Sequence, residues 1–199
     1  MKTIILAIAI LTIAAGIAIS CNEQHAANPV AVTISKDSLV KRGAYLVNMM
    51  GCNDCHSPKK VTEHGIIADP DLLLSGHPAQ MPLQNLDSNT LKTGMIFNMM
   101  LTAIAGPWGV SFTANLTSDS TGIGTWSLEQ FRKAFTQGKW KGLDNSRMLL
   151  PPMPWENYRN ITDEDLEAIF TYLKSTKPVK NVVPAPIPPT ELGKYMRKG

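Results

Sequence analysis

The segment that decides how this chain is organised is Gly51-Cys52-Asn53-Asp54-Cys55-His56. Two thiols lie three positions apart, and an imidazole follows the second thiol directly. Residues three apart on a helical turn lie on the same face, so both sulfur atoms are expected on one side of the turn. The segment therefore predicts a compact set of sulfur and nitrogen groups for the surrounding loops to pack around.

The Cys-x-x-Cys-His spacing is the attachment motif of c-type haem. In that interpretation Cys52 and Cys55 each add to one vinyl group, and His56 binds the iron from the proximal side. The predicted cofactor is therefore one covalent haem c. Two alternatives remain open: a thioredoxin-like redox dithiol, and a zinc site completed by His64 or His77. The first lacks a surrounding βαβ pattern, and the second lacks another cysteine pair.

Composition excludes several other classes of protein. The length of 199 residues fits one domain with appendages. A net charge of +3 is too small to indicate nucleic-acid binding, and three cysteines are too few for a disulfide scaffold. Fourteen glycines and fourteen prolines imply many turns.

The first residues predict export and lipid attachment. Lys2 precedes an apolar run from Ile4 to Ile19, which is shorter than the roughly 20 residues that cross a bilayer comfortably. Ser20-Cys21 then resembles a bacterial lipobox, so residues 1–20 are predicted to be a lipoprotein-type signal peptide and Cys21 to carry lipid. An uncleaved N-terminal anchor is the alternative. Both place the domain on the periplasmic side of a bacterial membrane, behind a flexible tether at 21–35.

Three helices are predicted from apolar periodicity and end signals. The first begins at Asp37 or Ser38 and ends at Gly51. The second begins at Ser127, the first residue of a capping box. The third begins at Thr162 and has an acidic first turn, which complements the positive end of the helix dipole.

The remaining segments predict little regular structure. Residues 57–92 are expected to be loop, and the apolar run at 94–105 fits either a strand or a buried helix. The domain is expected to span 36–178, and 179–199 to form a proline-rich extended tail. The predicted fold class is therefore all-α, with three to four helices and long loops around one haem.

A second axial ligand is expected for the iron of an electron carrier, and methionine there raises the reduction potential. Met153 lies in Pro151-Pro152-Met153-Pro154, where prolines restrict the loop and reduce the entropy lost on holding a ligand. Met148 is the second candidate. His77 is the third, and it would give bis-histidine ligation with a lower potential.

The order of helix, Cys-x-x-Cys-His, loops, helix, methionine loop and helix resembles the class I bacterial c-type cytochromes over residues 37–177. Gly122-Ile123-Gly124-Thr125-Trp126 and Pro152-Met153-Pro154-Trp155 are the other stretches that carry the resemblance. The resemblance implies that Met153 is the distal ligand. It also implies that Cys52 and Cys55 attach the haem and that His56 is the proximal ligand.

The same resemblance implies two structural contacts. Gly43 is expected to let the ring of Tyr172 approach closely where the first and last helices cross. The Pro58 carbonyl is expected to accept the imidazole N–H of His56 and so fix its tautomer. One departure from minimal cytochromes c is the long stretch at 57–125, which is expected to wrap the haem edge or form a docking surface.

Three functions fit these expectations. The first is a membrane-tethered monohaem cytochrome that carries single electrons between periplasmic or membrane redox partners. Such a protein is not itself an enzyme and has no small-molecule substrate. The second is a haem subunit of a larger dehydrogenase or terminal reductase complex, which an exposed apolar patch at 93–105 would favour. The third is a five-coordinate haem enzyme or sensor, which requires that Met153 does not bind iron.

Docking is expected to depend little on long-range charge. Removal of Lys2 with the signal peptide leaves 18 basic and 16 acidic residues, a net charge of +2 that two haem propionates would about cancel. A local lysine patch is a candidate docking surface, and an ordinary solvated face is the alternative. Its members are Lys59, Lys60, Lys133, Lys139 and Lys141.

Overall fold

This computed structural model describes residues 34–83 and 85–196, which contain five α-helices and five β-strands. In chain order they are α1 (Lys36–Met49), α2 (Cys52–His56), β1 (Lys59–Thr62), β2 (Gly65–Ala68), α3 (Ser88–Thr93), β3 (Ile96–Phe97), β4 (Ala103–Gly106), β5 (Gly109–Phe112), α4 (Leu128–Gln137) and α5 (Asp163–Ser175). Short 3-10 helices cover Trp140–Gly142, Trp155–Tyr158 and Pro189–Tyr195. The predicted signal peptide, Cys21 and nearly all of the predicted tether lie outside the described residues.

The prediction of an all-α fold with three to four helices is wrong. The structure is 38% helix and 14% strand, a mixed α/β fold with two small antiparallel sheets. β1 and β2 form a hairpin, and β3, β4 and β5 form a three-stranded sheet in that order. Both sheets lie within 57–125. Strands of two to four residues are too short to show the alternation that identifies a strand from sequence.

Two of the three predicted helix starts are confirmed. Ser127 caps α4 by accepting from the Gln130 N–H at 3.1 Å, and Thr162 caps α5 by accepting from the Asp165 N–H at 3.2 Å. The first prediction is wrong, because Ser35 rather than Asp37 or Ser38 caps α1. Each cap satisfies a backbone donor that the helix itself leaves unpaired.

The crossing of α1 and α5 is confirmed at the expected glycine. A Cβ atom at Gly43 would overlap the Ala168 carbonyl oxygen and lie 2.7 Å from the Tyr172 Cβ. Beside the crossing, the Arg42 guanidinium donates to both carboxylate oxygens of Asp165, at 2.8 and 3.0 Å. The two helices therefore meet at backbone distance.

The main core lies beneath this crossing, between α1, α4 and α5. Its buried members are Val47, Leu74, Ile123, Phe131, Phe135, Leu166, Ile169 and Leu173. Because these residues come from distant parts of the chain, the core joins both terminal helices to the loops between them. Among the described residues, no helix is long and apolar enough to span a membrane.

A second core joins the three-stranded sheet to the C-terminal segment. Its buried members are Leu86, Ala105, Val110 and Leu192. Val110 and Ile187 exchange backbone hydrogen bonds of 2.8 and 3.0 Å. The proline-rich segment therefore returns to β5 and packs there.

Replacement of Gly43 by alanine is expected to destabilise the protein by about 2 kcal/mol, because overpacking of a tight core typically costs about 1–3 kcal/mol. The added methyl group has to displace the Ala168 backbone. Urea unfolding of the two proteins measures the difference. Gly193→Ala is the matched control, since a Cβ atom at that position would meet nothing within 4 Å. Equal stability of both variants would contradict the close crossing.

Candidate functional site

The helix α2 presents both cysteines and the histidine of the motif. Gly51 precedes it with φ 68°, a left-handed conformation that lets the chain turn sharply from α1 into α2. Cys52 and Cys55 are free thiols and are half-buried. Burial raises the pKa of Cys52 to about 11 and also raises the pKa of Cys55. Both thiols are therefore protonated near neutral pH.

The His56 imidazole is fixed by one hydrogen bond. Its Nδ1 lies 2.8 Å from the Ala114 carbonyl oxygen. A carbonyl oxygen only accepts, so Nδ1 carries the proton and the lone pair of Nε2 is available to a metal. Burial lowers the pKa of His56, which favours the neutral ring that metals bind.

The prediction that the Pro58 carbonyl accepts the imidazole N–H of His56 is wrong. The Pro58 carbonyl accepts instead from the Asp69 N–H, at 2.8 Å, next to the paired strands β1 and β2. Ala114 comes from a segment 58 residues away from His56. A backbone acceptor depends on the path of the chain and not on the side chain, so the identity of residue 114 gave no signal for it.

The Lys59 side chain binds carbonyls at the C-terminal end of α2. Its ammonium donates to the carbonyls of Asn53, Asp54 and Ser57, at 3.1, 2.8 and 2.5 Å. These are carbonyls at or beside the C-terminal end of the helix, where a cation is stabilised. Lys59 therefore helps to hold the cysteine turn, a role that the sequence analysis missed.

The other lysines of the predicted docking patch differ in their contacts. Lys133 pairs with Asp144 at 2.7 Å, and Lys60 lies 3.8 Å from Asp69. Lys141 lies over the Trp140 ring, 4.8 Å from its centroid. Because Lys59, Lys60 and Lys133 have acceptors within the protein, the five lysines do not form one set of unpaired cations, and the docking patch stays a prediction without added support.

Met153 and Cys52 pack against the same core. Both are partly buried against the main core, as is Tyr158, which follows the methionine loop. Tyr158 stacks on Phe135 with ring centroids 4.7 Å apart. The structure therefore brings the methionine loop and the cysteine turn to one apolar region.

The two other candidate ligands lie in different surroundings. Met148 is 40% exposed and forms an isolated bridge with Lys139. His77 is buried, with Nδ1 at 2.9 Å from the Thr102 hydroxyl and Nε2 at 3.4 Å from the Met81 carbonyl. Its ring also lies against Phe112 of β5. Both ring nitrogens of His77 therefore have protein partners, which does not favour His77 as an iron ligand.

The donor set fits a covalent haem. Two free thiols lie on one short helix, the adjacent imidazole has an unprotonated Nε2, and a thioether packs on the same core. A zinc site finds no support: in the part of the chain that the structure describes, no three His, Cys, Asp or Glu side chains are grouped to hold a metal. His64 is exposed and lies beside Glu63, at 3.3 Å.

Known proteins with similar sequences include components of several dehydrogenases. The gluconate 2-dehydrogenase cytochrome c subunit of Pantoea cypripedii is 31% identical over 139 residues, which are 69% of this chain and 23% of that protein. The fructose dehydrogenase cytochrome subunit of Gluconobacter japonicus is 38% identical over 92 residues, 45% of this chain and 18% of that protein. A component of the nicotinate dehydrogenase of Pseudomonas putida is 38% identical over 84 residues, 42% of this chain and 7% of that protein.

The matches to cytochrome subunits support a c-type cytochrome. They also support haem c as the cofactor and electron transfer as the role. The chain spans less than a quarter of the length of each of these relatives. No model of a known protein family matches the chain.

Replacement of Met153 by alanine is expected to abolish the weak red absorption band of methionine-ligated iron and to change the spin state. The reason is that alanine offers no thioether in the same loop. Absorption spectra of the oxidised holoprotein measure both effects. Met148→Ala is the control and should leave the band unchanged. A lost band in the Met148 variant alone would move the ligand to Met148, and a low-spin spectrum without the band in the unaltered protein would move it to His77.

Proposed function

We propose that this protein is a haem c electron-transfer subunit that accepts electrons from the catalytic subunit of a dehydrogenase. One observation carries the proposal: Cys52, Cys55 and His56 lie on one short helix, and the His56 tautomer is set for metal binding. The names of the relatives support the dehydrogenase as partner. The protein is then a carrier without a substrate of its own.

The bound haem supplies an iron that exchanges one electron between its ferric and ferrous states. Cys52 and Cys55 hold it covalently, and His56 presents Nε2 from a ring that the Ala114 carbonyl keeps in one orientation. Met153 would supply the second iron ligand from a proline-restricted loop. The apolar side chains of the main core would exclude water from the part of the haem that packs against them. We propose one haem, because the chain carries one Cys-x-x-Cys-His motif.

An exposed apolar surface favours a subunit in a complex over a free shuttle. Met95, Phe97, Met99 and Leu101 are 48%, 41%, 64% and 38% exposed. These four residues lie in the first part of the stretch at 93–105 that the sequence associates with a larger assembly, whereas its last four residues, 102–105, are buried. Exposed apolar groups close together mark contact surfaces. The patch and the relatives therefore support the second of the three sequence-based functions.

Spectra of the purified holoprotein test the cofactor. Denaturation in alkaline pyridine is expected to give the absorption of a covalent c-type haem, and the same spectrum should be lost in Cys52→Ser/Cys55→Ser. The reason is that these two thiols are the proposed sites of attachment. Absence of haem from protein made in cells competent to attach it would return both cysteines to thiol chemistry and overturn the proposal.

Native membranes test the partner. Gluconate, fructose or nicotinate, added singly, is expected to reduce the haem when the matching dehydrogenase is present. Met99→Ser/Phe97→Ser should slow this reduction and leave reduction by dithionite unchanged, because both side chains lie on the exposed patch. Reduction by none of these compounds, together with rapid reduction by a soluble periplasmic protein, would favour the shuttle.

We also propose a periplasmic location with a lipid anchor at Cys21. The support is the apolar run at residues 4–19 and the small residue before this cysteine. Labelled palmitate is expected to be incorporated into the unaltered protein and not into Cys21→Ala, because this cysteine is the proposed site of lipid attachment. Autoradiography of the immunoprecipitated proteins measures the label. Membrane-bound unaltered protein without label would favour the uncleaved anchor.

A further inference from the structure

We infer that Gly76 and Asn181 are positioning residues for His56, through which the C-terminal segment sets the reduction potential of the haem. The inference rests on the proposed function. It concerns how the Ala114 carbonyl is held in place, since His56 donates to that oxygen.

Two loop segments run side by side at this point. The Leu116 N–H donates to the Leu74 carbonyl at 2.8 Å, and the His77 N–H donates to the Thr113 carbonyl at 2.9 Å. Between these two bonds, the Gly76 N–H donates to the His56 carbonyl at 2.8 Å. The segment 74–77 is therefore bonded to the backbone of His56 and to residues on both sides of Ala114.

Gly76 determines how closely these segments approach. Its φ is 76°, which L side chains rarely adopt. A Cβ atom there would lie 2.5 Å from the Thr113 oxygen, 2.6 Å from the Ala114 carbonyl carbon and 2.7 Å from the Ala114 oxygen. A methyl group at this position would thus push on the very carbonyl that accepts from His56.

Asn181, in the C-terminal segment, is hydrogen-bonded to the residues on either side of Gly76. Its Nδ2 donates to the Ser75 and His77 carbonyls, at 2.7 and 2.9 Å, the two carbonyls that flank Gly76. Its Oδ1 accepts from the Ala79 N–H at 3.0 Å. These bonds join the C-terminal segment to the loop that carries Gly76.

Asn115 joins the C-terminal segment to the stretch of chain that carries Ala114. This buried side chain donates to the carbonyls of Val179 and Asn181, at 2.9 and 3.3 Å. It directly follows Ala114 in the chain. The C-terminal segment is therefore bonded both to the loop beside His56 and to the residue next to its acceptor.

This arrangement has an electronic consequence for the ligand. A carbonyl that accepts the Nδ1 proton makes the imidazole a stronger base at Nε2. A stronger base stabilises the ferric iron relative to the ferrous iron. Loss of the contacts made by Gly76 or Asn181 is expected to lengthen the hydrogen bond from His56 to the Ala114 carbonyl. The reduction potential is then expected to rise.

Two variants of the holoprotein test the inference. Gly76→Ala displaces the Ala114 carbonyl directly, and Asn181→Ala removes the two donated bonds without adding volume. Both are expected to raise the midpoint potential in a redox titration. In NMR spectra of the ferrous protein, both should speed the exchange of the His56 Nδ1 proton with solvent.

Gly124→Ala is the matched control. The atoms nearest to a Cβ there belong to the Ser118 and Asp119 backbone, so the variant strains that loop rather than the Ala114 carbonyl. It should lower the melting temperature and leave potential and proton exchange unchanged. If Gly76→Ala does not fold, Asn181→Ala decides. A potential and an exchange rate in Asn181→Ala equal to those of the control would overturn the inference, whereas absence of haem from the unaltered protein would overturn the proposed function.

Discussion

The hydrogen bond from His56 to the Ala114 carbonyl is the contact on which the site depends. It joins the cysteine turn to a segment 58 residues further along the chain. One 2.8 Å contact sets the tautomer, and the tautomer decides which nitrogen is available to a metal. The surrounding structure holds both partners: Lys59 bonds to carbonyls around the end of α2, and Gly76 lies against the acceptor.

The described residues form two apolar cores in different parts of the fold. The main core lies below the crossing of α1 and α5, and Cys52 and Met153 are partly buried against it. The second core lies between the three-stranded sheet and the C-terminal segment. Polar side chains join the loops between them, Asn115 and Asn181 above all, and each satisfies several backbone groups at once. Buried or half-buried amides of this kind fix relative positions, because losing one bond leaves a partner unsatisfied.

Sequence reasoning succeeded where the signal is local. The caps at Ser127 and Thr162 depend on residues within one turn. The crossing at Gly43 was expected from the resemblance to the c-type cytochromes, and the structure confirms it. Sequence reasoning failed for β1, β2 and β5, and it left the run that contains β3 and β4 open between a strand and a buried helix, because strands of two to four residues show no clear alternation. It also failed for Ala114, since a main-chain carbonyl acts regardless of the side chain that the sequence displays.

The return of the C-terminal segment to β5 has a consequence for the order of assembly. A chain is synthesised from its N-terminus, so α2 exists well before Asn181 and Ile187 do. Until those residues arrive, the edge of β5 lacks its partner and the loop at 74–77 lacks two of its bonds. The residues of the cysteine turn are thus made long before the last part of the chain, which supplies the contacts that close the structure around them.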